Sequence, residues 1–189
     1  MEILILGVLL IPFLTSLLLK VAGKYMNESL TNFVTLNASL LSVAVSFFLF
    51  GYIFLDKFKP LKFELFEWFP DPQIVFEFYL DGLSGVMMVL ISTLSLVIQL
   101  FSTSYMSKDE KYTKYFEYFN FFVFSMLLLV MSGNFLVMFF GWELVGLSSY
   151  LLISFWSEKK SASKAGNKAF ILNRICLLYT SDAADDLVG

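Results

Sequence analysis

Five stretches of this 189-residue chain run almost without charge for close to the roughly twenty residues that cross about 30 Å of hydrocarbon. They are Ile3–Leu19, Leu30–Leu55, Gly82–Met106, Tyr118–Met131 and Asn134–Trp156, and a sixth begins near Ala165. The fourth reaches full length only when extended back to Tyr115. Lipid offers no hydrogen bonds, so a segment that crosses it must satisfy its own backbone groups, as a helix does. The expected fold is therefore an all-α polytopic membrane protein with about five complete transmembrane helices and the start of a sixth. Asn32 and Asn37 in the second run, and the serines and threonines of the third, do not disqualify these spans, because such groups bond to backbone carbonyls or to neighbouring helices.

Composition agrees. Hydrophobic residues make up 58% of the chain and charged residues 15%, against about 25% charged in an ordinary soluble domain. The 23 Phe, 9 Tyr and 3 Trp suit lipid and interface contact, whereas a soluble core of this length could not bury so many large rings. The bilayer is the expected partner, and no nucleic acid is. With one cysteine, Cys176, and no histidine, this chain alone cannot build a disulfide framework, a His/Cys metal site, a haem site or an iron–sulfur site. Any redox chemistry must belong to partners. The first run has an acidic start and no small-residue cleavage site before its lysines, so a cleaved signal peptide is not expected.

Basic residues set the orientation. With the amino terminus outside, the inner segments hold Lys20, Lys24, Lys108, Lys111, Lys114, Lys159, Lys160, Lys164 and Lys168, and the outer side holds Lys57, Lys59 and Lys62. The positive-inside rule then places the amino terminus outside, where inside means cytoplasm or mitochondrial matrix. Between the second and third runs, "KPLKFELFEWFPDPQIVFEFYLDG" has aromatic and β-branched residues on both sides of "PDPQ". Phe63/Leu65 and Phe76/Phe78 keep a period of two, which predicts an outer-face β-hairpin turning at Pro70–Gln73; an irregular amphipathic loop is the alternative.

The fifth run, "GNFLVMFFGWELVGLSSYLLISFW", carries one ionisable residue, Glu143. It sits nine residues past Asn134, roughly 14 Å into the membrane at 1.5 Å per residue, which is the midplane. A charge there costs on the order of 3 kcal/mol, so it should face the bundle interior, a water-filled cavity or a cation. Gly141, Gly146, Ser148 and Ser149 permit close backbone approach and hydration, and Phe139 and Phe140 lie one turn back. Two readings stay open: a group that loads and unloads a proton, and a glutamate that only hydrogen-bonds to adjacent helices.

"YLDGLSGVMMVLISTLSLVIQLFSTSYM", "FFVFSMLLLVMSGNFLVMFFGWELVGLSSYLLISFW" and "KAGNKAFILNRI" resemble, in order and spacing, landmarks of the antiporter-like subunit 5 of respiratory complex I, NADH:ubiquinone oxidoreductase. The resemblance covers most of Leu80–Ile175. It implies a proton-translocating membrane subunit of an enzyme that oxidises NADH and reduces a quinone, in the mitochondrial inner membrane or, alternatively, a bacterial plasma membrane. It assigns Glu143 a proton-relay role and, more weakly, gives the helix-6 bases Lys168 and Arg174 a part in proton transfer. Each base has a structural alternative: Lys168 can snorkel to the inner interface, and Arg174, about 9 Å deeper, can be neutralised by a nearby carboxylate. It implies no cofactor or metal on this chain, with NADH, FMN, iron–sulfur clusters and ubiquinone on partner subunits, other membrane subunits of the complex among them. The large subunit of a multisubunit cation/proton antiporter shares these motifs and is the alternative function. A purely structural scaffold is a third.

The sequence departs from the family pattern in two places. Family members are several times longer, which implies an amino-terminal fragment without the helix-7 lysine that pairs with the helix-5 glutamate. The family continues "NRIGD", and Leu177 stands at that aspartate. The segment "CLLYTSDAADD" resembles a translated sequencing-library adapter, so residues 176–189 are read as a non-native tail. Residues 1–115 are then the amino-terminal transmembrane region, and 116–175 the start of the proton-translocating core. Three of the chain's 16 acidic residues lie in that tail, and without them the remaining acids balance the 13 bases.

Overall fold

The computed structural model describes residues 2–55, 59–70, 73–107 and 109–186. Its elements are α1 (Glu2–Ala22), α2 (Glu28–Leu55), β1 (Leu61–Pro70), β2 (Gln73–Leu80), α3 (Gly82–Tyr105), α4 (Tyr112–Val130), α5 (Phe135–Ile153) and α6 (Lys160–Asp186), with a short 3-10 turn at Gly23–Tyr25. Segments Ile3–Tyr25, Glu28–Leu55, Gly82–Tyr105 and Phe135–Ile153 are helical, long and apolar enough to cross a membrane. This is a membrane protein. Hydropathy alone hid the beginning of α4, because its first two turns carry Lys114 and Glu117; the helix starts six residues before Tyr118. Helix α5 ends at Ile153 rather than Trp156, and α6 starts at Lys160 rather than near Ala165.

The packing order is not the chain order. Helix α4 lies against both α1 and α5, α2 pairs with α3, and α6 packs on α5. An apolar cluster of Ile5, Val8, Leu9, Leu49, Ile53, Met88, Val123, Leu127, Leu128 and Val137 joins α1 through α5. Polar groups join α2, α3 and α4. Thr31, Thr35, Ser39, Ser42 and Ser46 recur every three or four residues, which puts them on one buried face of α2. Ser46 and Ser92 share a 2.8 Å hydrogen bond, Ser39 Oγ donates to Gln99 Oε1 at 2.5 Å, and Gln99 Nε2 donates to Asn120 Oδ1 at 3.3 Å. Lipid-soluble helices gain little from burying apolar area against one another, so such bonds supply register as well as attraction.

The hairpin forms as expected between β1 and β2, antiparallel from Leu61↔Leu80 to Pro70↔Gln73; the central turn residues Asp71 and Pro72 lie outside the described residues. Its period of two does not hold throughout. A bulge after Glu64 puts Phe66, not Leu65, opposite Phe76, with rings stacked 5.4 Å apart, and leaves Leu65 exposed. The hairpin is pinned to the α4–α5 turn. Tyr79 N–H donates to Met131 O at 2.9 Å, Gly133 N–H to Glu77 O at 3.0 Å, and Asn134 Nδ2 to Val75 O at 2.5 Å. At the opposite end, Tyr112 Oη donates to Asn32 Oδ1 at 2.5 Å and Lys111 Nζ to Glu158 Oε1 at 2.7 Å. The hairpin and the α4–α5 turn therefore share one end of the bundle, and the other three connections share the other end, as the charge pattern requires. Lys57 and Lys108, which enter that pattern, lie outside the described residues.

Candidate functional site

Helix α5 begins sharply because Asn134 caps it: its backbone is extended and its side-chain Oδ1 accepts the Val137 N–H at 2.9 Å. The cap is fixed in turn by the hairpin. From there the helix runs apolar on every side, so what aims its one carboxylate is contact with neighbours rather than amphipathicity. Gly141 sets the first contact. A Cβ there would fall 2.7 Å from Leu129 Cα and 2.8 Å from Leu129 N, so α4 and α5 touch backbone to backbone at a place only glycine permits. Gly146 sets the second, on the side facing α6, where a Cβ would run into the Asn173 amide.

Glu143 lies eight residues past Phe135, about 12 Å from the helix start. Its Oε2 is in ion-pair contact with Arg174 Nη1 of α6. No other described residue donates a hydrogen bond to Oε2. The Glu143 side chain is 15% exposed and Arg174 45%, so the carboxylate is the buried member and the guanidinium the accessible one. Arg174 also stacks on Phe170, 4.8 Å from the ring centroid. One residue before each partner, Trp142 Nε1–H donates to Asn173 Oδ1 at 3.1 Å.

Two of the three sequence candidates are thus brought together and one is not. Lys168 lies on α6 about 9 Å along the axis from Arg174, is exposed, and does not face Glu143. The small residues around Glu143 divide their work. Gly141 and Gly146 admit neighbours, whereas Ser148 is buried with its hydroxyl turned back onto Leu144 O at 2.8 Å. Phe139 and Phe140 pack edge to face with each other, 6.4 Å apart. Among the described residues there is no cluster of three His, Cys, Asp or Glu side chains that could hold a metal ion. A cavity of about 330 Å³ at the α5–α6 contact is lined by Leu129, Trp142, Gly146, Ser149, Tyr150 and Asn173 among others, and neither Glu143 nor Arg174 lines it.

Sequence reasoning missed the Trp142–Asn173 bond and the Gln99–Asn120 node. Gln99 and Asn120 were visible as lone amides in apolar runs, and that signal could have marked them as interhelical partners.

Comparison with known proteins supplies the family. Residues 68–116 match the model for the NADH-ubiquinone oxidoreductase (complex I) chain 5 N-terminus, and residues 132–179 the model for the transmembrane region of NADH:quinone oxidoreductases and Mrp antiporters. The chloroplastic NAD(P)H-quinone oxidoreductase subunit 5 of Marchantia polymorpha is 37% identical over 172 residues, covering 88% of this chain and 25% of the relative. NADH-ubiquinone oxidoreductase chain 5 of Acanthamoeba castellanii is 38% identical over 168 residues, covering 88% and 25%. NADH-quinone oxidoreductase subunit L of Rickettsia bellii is 34% identical over 170 residues, covering 89% and 26%. The chain spans about a quarter of the length of these relatives. Among solved structures, a chain of an archaeal membrane-bound sulfane sulfur reductase superposes with a TM-score of 0.81 at 17% identity, covering 95% of this chain and 35% of that one. A chain of Thermus thermophilus respiratory complex I with bound aureothin gives 0.66 at 19%, covering 91% and 34%. At those identities the likeness is one of fold.

Proposed function

Because this chain belongs to the chain 5, or subunit L, family of NADH:quinone oxidoreductases, we propose that it forms part of a proton-translocating membrane subunit in which Glu143 is a proton relay. The observation that carries this reading is the Glu143–Arg174 contact inside an otherwise apolar helix. Arginine keeps its charge at any physiological pH, so Glu143 is the member of the pair able to titrate. A carboxylate whose charge is balanced by one movable cation changes proton affinity when that cation shifts or a second arrives. The chain's own part is to hold the carboxylate at mid-depth and set its counter-charge.

NADH oxidation and quinone reduction are assigned to partner subunits, which would carry FMN, the iron–sulfur clusters and the quinone site. The reading places the protein as a multi-pass component of the mitochondrial inner membrane, with its hairpin on the outer side. The resemblance to mitochondrial-type "NKAFILNRI" and the chain's richness in Phe and Lys support the organelle over a bacterial membrane. Lys168, nearer the inner end of α6, would act as a collector between the inner aqueous phase and the pair rather than as Glu143's counter-ion.

A cation/proton antiporter is the second reading, because the model matched by residues 132–179 spans Mrp antiporters as well. The match of residues 68–116 to the complex I chain 5 amino-terminal model, and the relatives' names, favour the first.

Glu143→Gln in the full-length, assembled complex tests the relay. It keeps shape and hydrogen bonding and removes titration, so proton pumping in proteoliposomes, normalised to assembled complex, should fall at least ten-fold, with Glu143→Asp keeping part of it. Wild-type pumping by the glutamine variant would sink the relay.

A further inference from the structure

Consecutive residues of α5, Trp142 and Glu143, meet consecutive residues of α6, Asn173 and Arg174, so the ion pair has a neutral rung beside it. We propose that Asn173 is a positioning residue for Glu143: held by Trp142 and by Gly146, it fixes the roll of α6 so that Arg174 faces the carboxylate.

Successive side chains leave a helix about 100° apart, and a roll of that size would exchange Arg174 for a neighbour. The ion pair cannot by itself prevent this, because both partners have long, flexible side chains and Arg174 is half exposed. Asn173 is short and is held on two sides. Its Oδ1 accepts the Trp142 indole N–H at 3.1 Å, and its Nδ2 lies over Gly146, where the absence of a Cβ makes the seat. Further along the same interface, the Tyr150 and Phe170 rings pack 5.5 Å apart, and Gly166 faces Ser154, a Cβ on it falling 3.0 Å from Ser154 Cβ. Those contacts fix how closely the helices approach, but they are apolar or small and tolerate sliding. The Trp142–Asn173 bond has one donor and one acceptor, and therefore one register.

The inference rests on the relay reading for its functional consequence but not for its geometry, and two measurements on the full-length complex separate them. The first is geometric. With Glu143→Cys and Arg174→Cys in a background without other reactive cysteines, a short bis-methanethiosulfonate should bridge the two thiols. Adding Asn173→Leu should lower the yield at least three-fold, while a bridge between Ser46→Cys and Ser92→Cys, across the α2–α3 contact that does not involve α6, stays unchanged. An unaltered 143–174 yield, or an equal loss at both places, overturns the proposal even if Glu143 proves essential for pumping.

The second is kinetic. Trp142→Phe, which removes only the donor, and Asn173→Leu, which removes the acceptor together with the amide nitrogen over Gly146, should each lower turnover about five-fold, the effect of one hydrogen bond. The quinone KM and the amount of assembled complex should not move, and the double variant should be no slower than the slower single. Multiplied effects, or unchanged turnover in both singles, would show that the two side chains do not act through one bond.

Discussion

Glu143 of α5 and Arg174 of α6 form an ion pair across the interface of two consecutive helices, with the acid buried and the base half exposed. That asymmetry makes the two ends of the pair unequal under mutation.

Arg174→Met removes the accessible partner and leaves a carboxylate in an apolar helix. A fully buried pair broken this way costs about 3–5 kcal/mol, and the exposure of Arg174 reduces the expected loss to about 1–2 kcal/mol. Combining it with Glu143→Gln removes the stranded charge, so the double variant should assemble better than Arg174→Met alone. The yield of intact complex on native gels measures this. A double variant less abundant than the single would mean that the pair is not the source of the loss.

Gly141→Ala should open the α4–α5 contact, because the added carbon meets the Leu129 backbone, which cannot rotate away. An overpacking penalty of about 1–3 kcal/mol follows, seen as a lower melting temperature of the detergent-solubilised complex. Gly51→Ala is the control: a Cβ there has nothing within 4 Å, and its effect should be absent or slightly stabilising.

Asp81 caps α3 in a reciprocal box with Ser84, the Ser84 N–H reaching Asp81 Oδ1 at 2.8 Å and the Asp81 N–H reaching Ser84 Oγ at 2.7 Å. The Ser84 backbone N–H is the main cause that holds the Asp81 carboxyl below its usual range. A folded pKa below the unfolded one gives stability that is complete above the unfolded value, near 4, and is lost as pH falls through the folded one. Asp81→Ala should therefore cost about 1 kcal/mol at pH 7, read as faster amide exchange in the first turn of α3, and the gap should narrow below about pH 4. A gap that does not change with pH would contradict the charge assignment.

Lys111 and Leu65 lie at opposite ends of the bundle. In sealed vesicles, Leu65→Cys on the hairpin bulge should react with an impermeant maleimide from the outer side and Lys111→Cys only after permeabilisation. The reverse pattern would invert the orientation drawn from the lysines.

How much of this could be read from the chain depends on which quantities are local. The spans, the hairpin and the lone acid of α5 were legible because hydropathy, alternation and turn residues are properties of neighbours in sequence. Where charge intruded, as at Lys114 and Glu117, the same reading placed the start of α4 too late, since packing of α4 against α1 and α5 outweighs local polarity there. The phase of β1 was likewise lost at a bulge that only the partner strand defines.

The sequence by itself determined that this chain lives in a bilayer, how its segments alternate across it, and that one carboxylate must be accommodated at mid-depth. Only the tertiary structure decided that Arg174 and not Lys168 meets that carboxylate, that Gly141 serves α4 and Gly146 serves α6, and that Gln99 joins three helices. The reason is rotational. A helix apolar on every side carries no mark in its sequence of which way each face turns, and that angle is set where glycines let backbones touch and where a few short polar side chains find a single partner.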